Sequence, residues 1–236
     1  MRIVDRRGFR LGYATLALFT GFAGDFLRDL LTWWGWGAIV ALVIAGAILL
    51  IVRNRATIRL GMLPYPLLAF LLLATLSIAW SQYRPESALG TLAQFATTAA
   101  GVAVAGTLGW AELLAVLARV FRLILGLSYL FEFIVSAFIR HPIYPVWVVP
   151  DDPTNPAKLL YWSRNLLFEG GKIQGIVGNS SLLAMAALLG LIVFVLQLLN
   201  RSAGRLGWFW LVVAIVFAAA FLAALVLHPG HAAHLS

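Results

Sequence analysis

The stretch WSRNLLFEGGKIQGIVGNSSLLAM, Trp162 to Met185, gathers the residues best suited to holding a polar ligand at a membrane face. It carries Arg164, Glu169 and Lys172 through glycine steps directly into an apolar run. Gly170, Gly171, Gly175 and Gly178 permit tight backbone turns or the close approach of a ligand. Asn179, Ser180 and Ser181 place hydrogen-bonding groups where a spanning helix should be shedding them. Such groups are costly against lipid, so they are expected to face protein or a cavity.

Glu132, within YLFEFIV, is the sharpest single residue. An intramembrane carboxylate is a functional-site hypothesis by default. Two roles are open to it: orienting an outer arginine, or lying buried and neutral against a Ser or Tyr of a neighbouring helix. Asp25 and Asp29 flank Arg28 and read as an interfacial charge cluster, and Glu86 beside Arg84 reads as solvated. His228, His231 and His234 share a three-residue spacing, but Pro229 and Gly230 oppose the helix that would gather them, so the tail 228–236 is expected to be unstructured and no metal site is assigned. The absence of cysteine excludes disulfides and thiolate metal sites, and there is no P-loop to support ATP-driven transport. No cofactor is implied.

The elements that must position these groups follow from composition. With 62% hydrophobic and 11% charged residues and a mean hydropathy of +0.95, the chain reads as a multi-pass membrane protein. Its net charge of +8 lies mostly in short loops between apolar runs, so topology rather than nucleic acid accounts for it. Seven stretches can supply spans: Leu11–Phe26, Trp33–Val52, Met62–Trp80, Ala88–Leu108, Val120–Ile139, Ile173–Leu199 and Trp208–Leu227. The first is short and ends at Asp25, as a tilted or partly interfacial segment would. The expected fold is thus an all-α transmembrane bundle of about seven spans, one integral membrane domain over residues 1–236.

Arginine placement sets the orientation. With the N-terminus cytoplasmic, the inner segments hold Arg2, Arg6, Arg7, Arg10, Arg53, Arg55, Arg59, Arg119, Arg122, Arg201 and Arg205. The outer ones hold Arg28, Arg84, Arg140, Lys158, Arg164 and Lys172, mostly in the longer outer loop at about 140–172. Tryptophans gather at span ends, as an aromatic belt does. An odd number of spans places the C-terminus outside. Gly109–Leu117 is amphipathic enough for a short interfacial helix before the fifth span. The outer loop, with Pro142, Pro145, Pro150, Pro153 and Pro156, is expected to be extended or turned, with room for a short surface helix at Leu159–Phe168.

Two motifs with the outer loop between them carry a resemblance: LSIAWSQYRPESALGTL (Leu76–Leu92) and GKIQGIVGNSSLLAMAALLGLIVFVLQ (Gly171–Gln197). The pair resembles the O-antigen ligase family, whose relatives include the Wzy-type polysaccharide polymerases. Trp80, Ser81, Pro85, Gly175, Gly178 and Asn179 occupy the family's signature positions, with Ser180-Ser181-Leu182-Leu183 as a small departure after the asparagine. The resemblance implies a GT-C-like bundle in the plasma (inner) membrane that passes a glycan from an undecaprenyl diphosphate carrier to an acceptor on the outer face. A diphosphate leaving group requires cations to offset its developing charge, and the outer side offers Arg84, Arg140, Arg164 and Lys172, each of which also has an ordinary reading as a solvated loop residue. Glu132 and Asn179 complete the expected substrate-binding set, alongside the lipid bilayer and the polyprenyl-diphosphate-linked glycan as partners.

The family's later spans, with the outer-loop histidine and arginine that they carry, find no match here. The 236 residues are accordingly expected to represent an N-terminal half that does not turn over a glycan alone, with no catalytic residue assigned. The alternatives are a non-catalytic membrane scaffold and a transporter-like protein of the cell envelope, the latter requiring polar groups to face one another at mid-membrane, where Glu132, Gln94 and Thr97 are the few available. Donor sugar, acceptor and oligomeric state are not encoded legibly.

Overall fold

The computed structural model describes residues 7–58, 61, 63–149, 160–200 and 207–227, with no side-chain description beyond residue 219. The described chain is all-helical, 76% helix and without strands. Its helices are α1 (Arg7–Phe22), α2 (Gly24–Arg53), α3 (Tyr65–Ser77), α4 (Arg84–Thr107), α5 (Trp110–Ile134), α6 (Ser180–Leu199) and α7 (Gly207–Leu227), with a π turn at Val135–Ile139 extending α5.

Each expected stretch carries a helix, and four helical segments are long and apolar enough to cross a bilayer: Gly24–Arg53, Arg84–Thr107, Trp110–Ile139 and Ser180–Leu199. The 16-residue α1 reaches only about 24 Å at 1.5 Å per residue, short of a roughly 30 Å hydrocarbon core, and the 13-residue α3 is shorter still. Leu188 (53% exposed) and Ile192 (49%) on α6 present aliphatic surface of the kind lipid covers, and the chain is a membrane protein on these grounds.

Local sequence explains the boundaries. Thr32 (φ 64°, ψ −179°) breaks α2 in two, and the part after it, from Trp33, matches the expected second span. A β-branched residue at that φ is a genuine outlier, tolerated only where its surroundings impose it. Prolines open α3 and α4, where a missing N–H costs nothing. The interfacial helix expected at Gly109–Leu117 is instead continuous with α5, because AELLAVLARVFRLIL contains no breaker. No helix covers 161–168: Ser163 pairs in an isolated antiparallel bridge with Ile143, and Asn165 has φ 60°. The sixth helix begins at Ser180 rather than Ile173, since 171–174 are irregular and 175–178 form a turn. Pro142 and Pro145 lie in extended or turned chain as expected, whereas Pro150, Pro153, Pro156, Lys158 and the tail 228–236 lie outside the described residues.

The chain divides into two compact units, Met1–Ala17 with Ala38–Leu113, and Leu18–Gly37 with Leu114–Ser236. In the first, α3 packs on α4, where Thr91 Oγ1 donates to Ala74 O at 3.2 Å. The start of α1 is tied to the α4–α5 junction by Arg7 Nε to Glu112 Oε1 (2.6 Å) and Arg10 Nη1 to Thr107 O (3.0 Å). The Tyr13 ring lies against Gly46, and its hydroxyl donates to Val43 O at 3.2 Å. In the second unit α6 packs on α7, and α5 meets both. Phe121 of α5 is buried against Gly190 of α6 and stands 5.1 Å from the Phe22 ring, while Trp210 of α7 lies over Gly126. Arg122 Nη2 donates to Gln197 Oε1 at 2.7 Å and the guanidinium lies 5.7 Å from the Phe194 ring centroid, so this cation inside the bundle meets one amide and one aromatic face, while its buried Nε is left without a hydrogen-bond partner.

Candidate functional site

The polar centre of the second unit is built on one face of α5. Ser128 and Glu132, four residues apart, point the same way from the helix, and both are buried, at 0% and 1% exposure. Opposite them, three consecutive backbone N–H groups of the loop before α6 find their acceptors on this face. Gln174 N and Gly175 N donate to Glu132 Oε1 at 3.0 and 2.7 Å, and Ile176 N donates to Ser128 Oγ at 3.2 Å. Ser163 Oγ donates to the second carboxylate oxygen, Oε2, at 2.8 Å. Buried N–H groups cannot be left without partners, so a loop that abandons helix at this depth requires a carboxylate and a hydroxyl to hold it.

The turn that results needs the glycines the sequence places there. Gly175 has φ +60°, and a Cβ on it would come within 2.6 Å of Ser128 Oγ. Gly178 has φ +65°, and its carbonyl accepts from Gln174 Nε2 at 3.2 Å. Asn179 is the N-cap of α6: its side-chain oxygen accepts from Ser181 N at 2.8 Å and Leu182 N at 3.3 Å. Capping is what an asparagine in extended conformation does best at a helix start, and it leaves that oxygen committed.

The described parts of the connection between α5 and α6 are fastened to the same structure. Ile143 N donates to Ser163 O at 3.0 Å and Trp162 N to Ile143 O at 2.8 Å. Trp162 is buried against Phe131 (ring centroids 4.8 Å apart) and Phe26 (6.2 Å), and its indole N–H donates to Ile176 O at 2.9 Å. A second anchor lies at Asp29, 3% exposed, which accepts from Trp147 Nε1 at 3.2 Å, while its carbonyl accepts from Val146 N at 3.1 Å. Arg28 pairs with Asp25 at 3.0 Å and Asp29 at 3.4 Å and lies 5.4 and 5.5 Å from the Trp33 and Trp147 ring centroids. The charge cluster expected at Asp25–Arg28–Asp29 is therefore present, with two indoles added to it.

Of the six expected binding residues, Glu132, Arg140, Arg164, Lys172 and Asn179 fall in this unit and Arg84 in the other. Glu132 takes donors from Ser163 and the loop backbone; the serine expected of a neighbouring helix comes from the non-helical connection between α5 and α6 instead. Lys172 is half-buried and forms no hydrogen bond or ion pair among the described residues. Arg140 is exposed in the left-handed region (φ 60°), with Nε donating to Ala137 O at 3.1 Å. Arg164 is half-buried next to Ser163. Arg84 is exposed, its Nη2 donating to Ala79 O at 3.3 Å, near the Ser81–Ser87 hydroxyl pair at 2.6 Å that follows Trp80. Sequence reasoning passed over Ser128, Ser163 and Gln174. The four-residue spacing of Ser128 and Glu132 was the available signal for the first.

Chemically, this is a polar turn held by buried hydrogen bonds that leaves one lysine uncommitted among the described residues. His141 is exposed, with Nδ1 3.0 Å from Pro142 O, and is the one described histidine. Tyr144 stacks on Tyr161 at 4.8 Å; partial burial, then the hydrogen bond and field of Tyr161, push its phenol up to about 12, so it is a neutral donor at physiological pH. No group of three His, Cys, Asp or Glu placed to share a metal ion occurs among the described residues. Compared with protein-family models, with curated proteins and with solved structures, the chain matches none.

Proposed function

We propose that this protein holds the diphosphate of a polyprenyl-linked glycan at the outer face of the plasma membrane, as the donor-binding part of an O-antigen ligase-like glycosyltransferase with a cytoplasmic N-terminus. The observation that carries the reading is the turn 171–179. Three of the residues by which the sequence resembles that family are ones this turn demands: Gly175 and Gly178 for positive φ, and Asn179 for the α6 cap. The turn sets Lys172, uncommitted among the described residues, beside two glycines, where a compact ammonium can meet a phosphate oxygen.

Glu132 works in this reading as a positioning residue. Its carboxylate is occupied by the loop it holds, so it acts on the ligand through the shape of the turn. Arg164 and Arg140 supply further positive charge in the same unit. In transfer, the acceptor oxygen would form a bond to the anomeric carbon, the carbon–oxygen bond to the diphosphate would break with its electrons leaving on the polyprenyl diphosphate, and the acceptor proton would pass to a base; the proposal assigns no base to the described residues.

The test is equilibrium binding of undecaprenyl diphosphate to the full chain in lipid nanodiscs, with undecaprenol as the control. Saturable binding of the diphosphate and none of the alcohol is expected; equal binding of both would leave only hydrophobic association. The scaffold reading is favoured by one fact, that Glu132 and Asn179 are both satisfied by the protein itself, and it predicts no selective binding in this assay.

A further inference from the structure

The first unit contains a groove of about 540 Å³ that the donor reading leaves unused. It lies where α2 and α4 end and α3 begins, lined by Ile58, Leu67, Val102 and Gly101, with Thr57 and Thr98 the polar exceptions. Its wall is a built turn: Thr57 N and Ile58 N both donate to Asn54 O, at 2.9 and 2.8 Å, and Ile58 sits so tightly on Gly106 that a Cβ there would come within 2.6 Å of Cδ1. The same turn carries Arg55, and Arg53 closes α2 just before it. Both arginines are exposed and form no hydrogen bond or ion pair among the described residues. Two other described cations of this unit differ, since Arg7 is paired with Glu112 and Arg10 donates to the Thr107 carbonyl.

We infer that this groove is a binding site for an anionic glycerophospholipid, with an acyl chain lying between α3 and α4 and the phosphate headgroup on Arg53 and Arg55. The two halves of the site match the two halves of such a lipid. A hydrocarbon chain covers an apolar trough at the end of spanning helices without exposing it to water, and the two arginines of the helix end and turn that lead into its lining residue Thr57, unpaired among the described residues, favour a headgroup with net negative charge over a zwitterion. The site lies wholly in the first unit and is independent of the donor reading.

The experiment is native mass spectrometry of the delipidated full chain offered equal amounts of phosphatidylglycerol and phosphatidylcholine. Each cation near the headgroup contributes about fivefold, so wild type is expected to prefer phosphatidylglycerol by on the order of thirtyfold. The double variant Arg53→Gln/Arg55→Gln should bring the two lipids to parity. Gly101→Leu fills the trough from a position where an added Cβ meets no atom within 4 Å, and should abolish the retained adduct while circular dichroism stays at the wild-type helix content. Equal binding of the two lipids by wild type, a preference that survives loss of both arginines, or an adduct that survives Gly101→Leu would each overturn the assignment.

Discussion

Glu132 is where the burial and the bonding of this protein are most tightly bound together. At 1% exposure its carboxylate accepts from one hydroxyl and two backbone amides, and truncation would leave all three donors without it in a site water does not enter. Glu132→Ala should therefore cost at least about 3 kcal/mol, read as a lowered melting temperature of the purified protein, together with protease sensitivity appearing in 171–179. Glu132→Gln keeps an oxygen for the backbone donors and places its amide toward Ser163, whose hydroxyl can turn to accept, so its loss should be near 1 kcal/mol. A Glu132→Ala protein as stable as wild type would remove the carboxylate from its positioning role. Gly175→Ala should be damaging for two separable reasons, positive φ and collision with Ser128, so adding Ser128→Ala should restore only part of the lost stability.

Elements were legible to the extent that hydrophobic runs dictate them. Each of the seven apolar stretches carries a helix over most of its length, and prolines mark where α3 and α4 start. What the sequence did not disclose was long-range hydrogen bonding. Ile173–Gly178 is apolar enough to read as helix, yet it turns because Ser128 and Glu132, more than forty residues earlier, accept its N–H groups. Leu159–Phe168 likewise reads as a surface helix until Ser163 is seen bridged to Ile143. Conversely, the amphipathic pattern of Gly109–Leu117 reads as a separate surface helix, but the unbroken run of helix formers that follows it makes it the first turns of α5. The α6 cap offers a test at this scale: Asn179→Ala should cost about 1 kcal/mol and speed hydrogen exchange at Ser181 and Leu182 without disturbing the helix beyond its first turn. Exchange unchanged at those amides would show that the cap contributes nothing.

For the whole molecule, composition announced the membrane and arginine placement an orientation. Reporter fusions at Arg55 and Pro153 should read cytoplasmic and external respectively, and the same compartment for both would contradict that orientation. The central claim is that the turn held by Glu132 presents Lys172 to a diphosphate, and it is tested most directly by titrating undecaprenyl diphosphate into nanodiscs containing wild type and Lys172→Gln in parallel. Lys172 has no partner among the described residues whose loss could disturb the fold, so the variant should melt as wild type does. Removing one charge-assisted contact should weaken binding by roughly tenfold or more. A Lys172→Gln protein that folds normally and binds the diphosphate as tightly as wild type would contradict the account.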